Sequence, residues 1–90
     1  DFSEADHQHF PCLALAYQAL EIGGTSTAIL NAANEIAVDA FLNKRLKFTG
    51  IAKIIEEVLT TLPASAGDTL QQILDDDHQA RALAKRLIAA

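Results

Sequence analysis

Residues 28–42 read AILNAANEIAVDAFL, and their spacing decides the fold class. Ile29, Leu30, Ala33, Ile36, Ala37, Ala40 and Phe41 recur at intervals that trace one face of a helix. Just upstream, Thr25 or Ser26 is placed to cap that helix, since a hydroxyl there can accept a free backbone N–H. Downstream the stripe runs into Asn43, Lys44 and Arg45, and cations suit the negative end of the helix dipole. Asn31 and Asn34 sit inside the helix, where local propensity disfavours them. Spacings of three and four put Asn31, Asn34 and Glu35 along one side. Glu35 also precedes Asp39 by four residues, a mildly repulsive pair.

Working outward, Pro11 is predicted to open a first helix, because its missing N–H costs nothing at that position. Leu13, Ala16, Tyr17 and Leu20 form its predicted core face. Gly23 and Gly24 end it, since glycine enters the left-handed region without a Cβ clash. On the other side, Thr49 is predicted to cap a third helix carrying Ile51, Ile54, Ile55, Val58, Leu59 and Leu62, and Pro63 stops it. The stretch Pro63 to Gly67 is a loop. A short helical segment with Leu70, Ile73 and Leu74 follows, and Asp75 or Asp76 then caps a last helix. That helix aligns Ala80, Leu83, Ala84, Leu87 and Ile88, with Arg81, Lys85 and Arg86 toward its end. The fold class is therefore all-α: a four-helix bundle with short loops and one extra short helix before the last helix. Residues 1–9 lack periodicity and read as a tail or linker remnant; residues 10–90 make the bundle domain.

Composition narrows the function. Ninety residues of 9.7 kDa hold one small domain, too little for a dinucleotide domain plus a substrate domain. The net charge is −5, and no Lys or Arg precedes Lys44, so the N-terminal half lacks the basic face that nucleic acid demands. No apolar run is long enough for a membrane span. Cys12 is the single cysteine; it permits no internal disulfide and suits a cytoplasmic setting.

Four local groups invite a chemical reading, and each has a plainer one. Glu4, Asp6, His7 and His9 could bind a metal weakly, but nothing predicted around them would hold the ligands rigid. Asp75, Asp76, Asp77 and His78 lack calcium-loop spacing, and capping accounts for them. The run Gly23 to Thr27 could offer free N–H groups to an anion, yet it has no phosphate-loop lysine and no preceding strand. Gly67-Asp68-Thr69-Leu70 is similar to the Asp-Ser-Leu of acyl carrier proteins, with Thr69 where a Ser must stand. A helix-start Cys12 could carry a stabilised thiolate, although a half-buried structural cysteine is the simpler expectation.

Two segments are more specific: Phe10-Pro11-Cys12-Leu13-Ala14-Leu15-Ala16, and residues 28–38 with Ala40-Phe41-Leu42. Joined through Gly23-Gly24-Thr25, they strongly resemble the C-terminal helical domain of the 1-deoxy-D-xylulose 5-phosphate reductoisomerases. The resemblance runs from about Asp6 to the end and is strongest over residues 10–62. Ala5 and His9 depart from the family's usual Pro and basic residue there, which touches only the linker.

The resemblance implies a larger enzyme, a homodimer in the bacterial cytoplasm or, as an alternative, a plastid. It would convert 1-deoxy-D-xylulose 5-phosphate to 2-C-methyl-D-erythritol 4-phosphate with NADPH and Mg or Mn. Those cofactors and the catalytic residues would belong to N-terminal and central domains outside these 90 positions. No catalytic, cofactor-binding or metal residue is therefore assigned to this chain, which alone is expected to be inactive. The reading from another class is an autonomous acidic helical module that binds a partner protein; Asp1 in place of Met suits a fragment better. Asn31, Asn34 and Glu35 are the structural or interdomain candidates, predicted to bond backbone groups at helix ends or in adjoining interdomain loops. On that expectation Asn31→Ala and Asn34→Ala each lower stability by about 1 kcal/mol or more, and two unchanged unfolding midpoints would refute it.

Overall fold

A computed structural model describes residues 11–90. Four helices make up the described chain: α1 (Pro11–Ile22), α2 (Ser26–Leu42), α3 (Phe48–Thr61) and α4 (Leu70–Ala89). Helices α2 and α3 pack on each other and on both remaining helices, while α1 and α4 flank this pair without touching.

The core follows from residue size. Helix α2 buries Ile29, Ala32, Ala33, Ala37 and Ala40, all 1% exposed or less. Small side chains let helix axes approach closely. The neighbours supply bulk: Ile51, Ile54, Ile55 and Val58 from α3, Leu83 from α4 and Leu15 from α1. Large residues thus fill the space that alanines leave. Burying Ile29, Ile55 or Val58 contributes about 1.5–3 kcal/mol each, so Ile55→Ala should be among the costlier single changes.

The all-α bundle agrees with the sequence expectation, but five local readings need correction. Helix α1 turns Leu15 and Ala19 inward and leaves Leu13, Tyr17 and Leu20 exposed, the reverse of the predicted core face. Its sequence is apolar on nearly every side, so periodicity admits two orientations and only the neighbours choose between them. The extra short helix does not exist separately, because residues 70–89 form one continuous helix. Thr69 is its cap, its hydroxyl accepting the Gln72 N–H at 3.2 Å. The aspartates at 75, 76 and 77 lie inside α4, each accepting a hydrogen bond from the protein. Thr49 does not cap α3, which starts a residue earlier behind an extended Lys47. Thr25 stands at the cap position of α2, yet its side chain makes no cap bond.

That hydroxyl instead joins three segments. The Thr25 and Ser65 backbones meet, the Thr25 N–H donating to the Ser65 carbonyl at 2.9 Å. The Ser65 N–H donates to Thr25 Oγ1 at 2.8 Å, and Thr25 Oγ1 donates to Asp76 Oδ2 at 2.6 Å. The Ser65 N–H also reaches Asp76 Oδ2 at 3.3 Å. Nearby, Gln72 Oε1 accepts the N–H groups of Gly67 and Asp68, both at 3.0 Å. The α3–α4 loop is thus clasped to the α1–α2 turn and to α4. Gly24 is required here: its φ is +56°, and a Cβ would fall 2.1 Å from the Ser65 carbonyl oxygen.

The clasp predicts a pH dependence. The Thr25 hydroxyl, followed by the Ser65 side chain and, less, by the Ser65 N–H, holds the Asp76 carboxyl below its ordinary pKa. A depressed folded pKa contributes stability above the unfolded value of about 3.9, lost as pH falls through the folded value. Asp76→Asn should therefore cost about 1–2 kcal/mol at pH 7, and the gap to the parent chain should close in denaturant titrations below about pH 4. Gly24→Ala should destabilise by more than about 1 kcal/mol at every pH, since both backbone angle and contact oppose it.

Candidate functional site

The polar side of α2 comes first, because its asparagines oppose helix propensity. Asn31, Asn34 and Glu35 are all exposed on one side of the helix. Neither asparagine side chain hydrogen-bonds to any described residue, so neither secures a helix end within the bundle. Asn34 and Glu35 line an open concavity of about 480 Å³ with Val38, Leu42 and Arg81. Asn31 lies one turn upstream of it.

Arg81 brings α4 to this face. Its Nη2 meets Glu35 Oε2 at 3.1 Å, and its Nε meets Asp77 Oδ1 at 2.7 Å. Asp77 first, then Glu35, raises the guanidinium pKa further above its already high value. Arg81 is therefore a fixed cation already matched by two carboxylates, unsuited to proton transfer. These pairs are partly solvated, and each contributes at most about 1 kcal/mol. The Glu35–Arg81 contact was not legible in the sequence, being separated by 46 residues.

The other predicted groups do not converge on chemistry. Glu4, Asp6, His7 and His9 lie outside the described residues. Among the described residues no group of three His, Cys, Asp or Glu side chains could hold a metal ion. Asp75 accepts from Gln71 Nε2 at 2.8 Å, Asp76 from Thr25 and Asp77 from Arg81, so the aspartate run is divided among separate partners. At the start of α2, the Thr25 N–H serves Ser65 and the Ser26 N–H serves Gly23. Two donors that an anion would need are thereby occupied. Thr69 acts as a helix cap.

Cys12 is exposed rather than half-buried, and partial desolvation raises its thiol pKa. The environment thus opposes the thiolate instead of stabilising it. Two more open concavities exist. One lies between α1 and α3, over Pro11, Ala14, Leu15 and Ala52; the other adjoins Phe41, Lys44, Arg45 and Lys47 at the α2–α3 turn. The first also carries Lys53 and Glu56, both exposed and not paired with each other, and the charges lining the second are all cationic, so neither resembles a water-excluding catalytic cleft.

Comparison with known proteins supplies what the geometry alone does not. Residues 1–83 match the family described as the DXP reductoisomerase C-terminal domain. The 1-deoxy-D-xylulose 5-phosphate reductoisomerase of Ectopseudomonas mendocina (strain ymp) is 49% identical over 89 residues, covering 99% of this chain and 23% of that protein. That of Burkholderia cenocepacia (strain HI2424) is 52% identical over 88 residues, covering 98% of this chain and 22% of that protein. Among solved structures, the Zymomonas mobilis reductoisomerase in complex with NADPH superposes with a TM-score of 0.89 at 40% identity. It is covered by this chain over 24% of its length, and this chain is covered completely. The chain therefore spans less than a quarter of the length of these relatives. Sequence and fold agree over nearly all of it, and this chain belongs to the DXP reductoisomerase C-terminal domain family.

Proposed function

We propose that this chain serves as the C-terminal structural domain of an enzyme converting 1-deoxy-D-xylulose 5-phosphate to 2-C-methyl-D-erythritol 4-phosphate, within isoprenoid biosynthesis. The observation that carries the proposal is its match, at about half identity over 98–99% of its length, to the last part of enzymes bearing that name. NADPH would be the reductant, since the Zymomonas mobilis relative is described in complex with it. A divalent cation, Mg or Mn, and a homodimeric assembly are what the family resemblance adds. The bacterial sources of the relatives favour a bacterial cytoplasm over a plastid.

The described residues do not themselves fit NADPH or a divalent cation. The glycine turn before α2 spends its N–H groups on protein carbonyls, and the aspartates of α4 are held apart by separate donors. No step of the reaction is therefore assigned to these side chains. Their contribution is mechanical: a closely packed bundle, clasped between its loops, that gives the preceding domains a stiff surface to pack on. Asn31, Asn34 and Glu35 belong to that role as exposed polar groups available to interdomain backbone.

Two outcomes test the reading. The 90-residue chain should oxidise no NADPH with substrate and Mg present, while the intact enzyme does; turnover by the chain alone would overturn the structural assignment. Because both asparagines are exposed and make no hydrogen bond to a described residue, the helix-end bonding expected from sequence gives way: Asn31→Ala and Asn34→Ala together should shift the unfolding of the isolated chain by less than about 0.5 kcal/mol instead of about 1 kcal/mol each. In the intact enzyme the same pair should cost about 1 kcal/mol or more if interdomain bonds are lost. Equal shifts in both proteins would remove the interdomain role.

A further inference from the structure

The turn between α2 and α3 gathers charge against the trend of the chain. Three of the seven Lys and Arg residues, Lys44, Arg45 and Lys47, fall within four positions. From Ala40 to Ile55 there is no Asp or Glu, although the whole chain carries a net charge of −5. All three cations are exposed, and among the described residues the ion pairs belong to Arg81 alone. The dipole of α2 accounts for Lys44 and Arg45, which follow its C-terminus. It does not account for Lys47, which stands at the cap position of α3, where a cation meets the positive end of a helix.

The same turn carries the two most exposed large apolar side chains of the described residues, Leu42 at 71% and Phe48 at 72%. Phe48 meets Phe41 edge to face, with ring centroids 5.6 Å apart, which steadies the ring without covering it. The backbone is tied down as well. The Lys44 N–H donates to the Phe41 carbonyl at 3.0 Å, and the Arg45 N–H donates to the Ala40 carbonyl at 2.8 Å.

Charge and apolar surface at one place restrict the partner. A free phosphate or a nucleic acid answers the cations but leaves Leu42 and Phe48 in water. An anionic lipid surface answers both, with phosphates at the headgroup level and hydrocarbon just beneath. The next carboxylate after the turn is Glu56, roughly 12 Å along α3 from Phe48, more than a Debye length at physiological salt. On the other side Asp39 lines the separate concavity beside Arg81. No described helix is long and apolar enough to cross a membrane, so such a contact is peripheral.

We infer that the α2–α3 turn is a weak docking surface for membranes of anionic lipid. Lys44, Arg45 and Lys47 meet the phosphates, and Leu42 and Phe48 enter the acyl boundary. This concerns where the protein resides and does not depend on the proposed reaction. The test is co-sedimentation of the intact enzyme with vesicles of phosphatidylcholine, alone or with about one-third phosphatidylglycerol. At low salt the mixed vesicles should retain at least about fivefold more protein than the neutral ones, and about 0.5 M salt should release it. Lys44→Gln, Arg45→Gln and Lys47→Gln together should weaken retention by about tenfold or more. Leu42→Ser with Phe48→Ser should weaken it by about fivefold at unchanged charge. Both variants alter exposed side chains and should keep the parent's circular dichroism, which separates lost retention from lost folding. Equal retention on the two vesicle types, or parent-like retention by the cation variant, would overturn the inference. Full retention by the apolar variant would reduce the turn to a contact for any anion and overturn the lipid surface. Capture of duplex DNA without capture of the anionic vesicles would assign the turn to nucleic acid and overturn it too.

Discussion

Close approach around α2 is the constraint from which the rest of the bundle follows. Ala32, Ala33, Ala37 and Ala40 expose almost nothing, and they leave room for the isoleucines of α3 and for Leu83 of α4. A larger side chain at any of these alanines would force the neighbours off their rotamers. Because α2 and α3 meet at this seam, α1 and α4 can only lie to either side of it.

The clasp at Thr25, Ser65 and Asp76 closes the arrangement at one end. It uses a hydroxyl that could have capped α2 to join elements 40 and 51 residues away. A buried hydroxyl without a partner would be costly, and here it both donates and accepts. Asp76 supplies the negative end, and Gly24 supplies the close backbone approach. The same bonds explain why an aspartate run survives inside α4. Asp76 ties α4 to the turn and the loop, while Asp75 and Asp77 each accept from a residue of α4 itself.

Several polar groups that the sequence offered for chemistry hold the fold instead, Thr69 as a cap and Asp76 in the clasp. Arg81 is matched by Asp77 and Glu35, Cys12 is held toward the thiol, and the concavities described above are open. What the domain retains is surface: a polar side on α2, whose two asparagines bond no described residue, and an apolar side on α1.

Much of this was legible in the residues. Pro11, the Gly23–Gly24 pair and Pro63 marked helix limits, because the backbone angles and missing donor of those residue types act locally. The stripe of α3 declared its inner face, and that of α2 did so for Ile29, Ala33, Ala37 and Ala40 but not for the equally buried Ala32. The segments around Phe10 and Asn31 carried the family resemblance. The orientation of α1 was not legible, since a helix apolar all round offers its neighbours two choices. Nor were the partners of Thr25, Asp76 and Glu35, which lie on segments remote in sequence. Sequence by itself therefore determined helix class, helix limits and family, all set by short-range sterics and periodicity. Tertiary structure alone decided which face of α1 turned inward and which polar groups met, because those outcomes depend on what packs beside each helix.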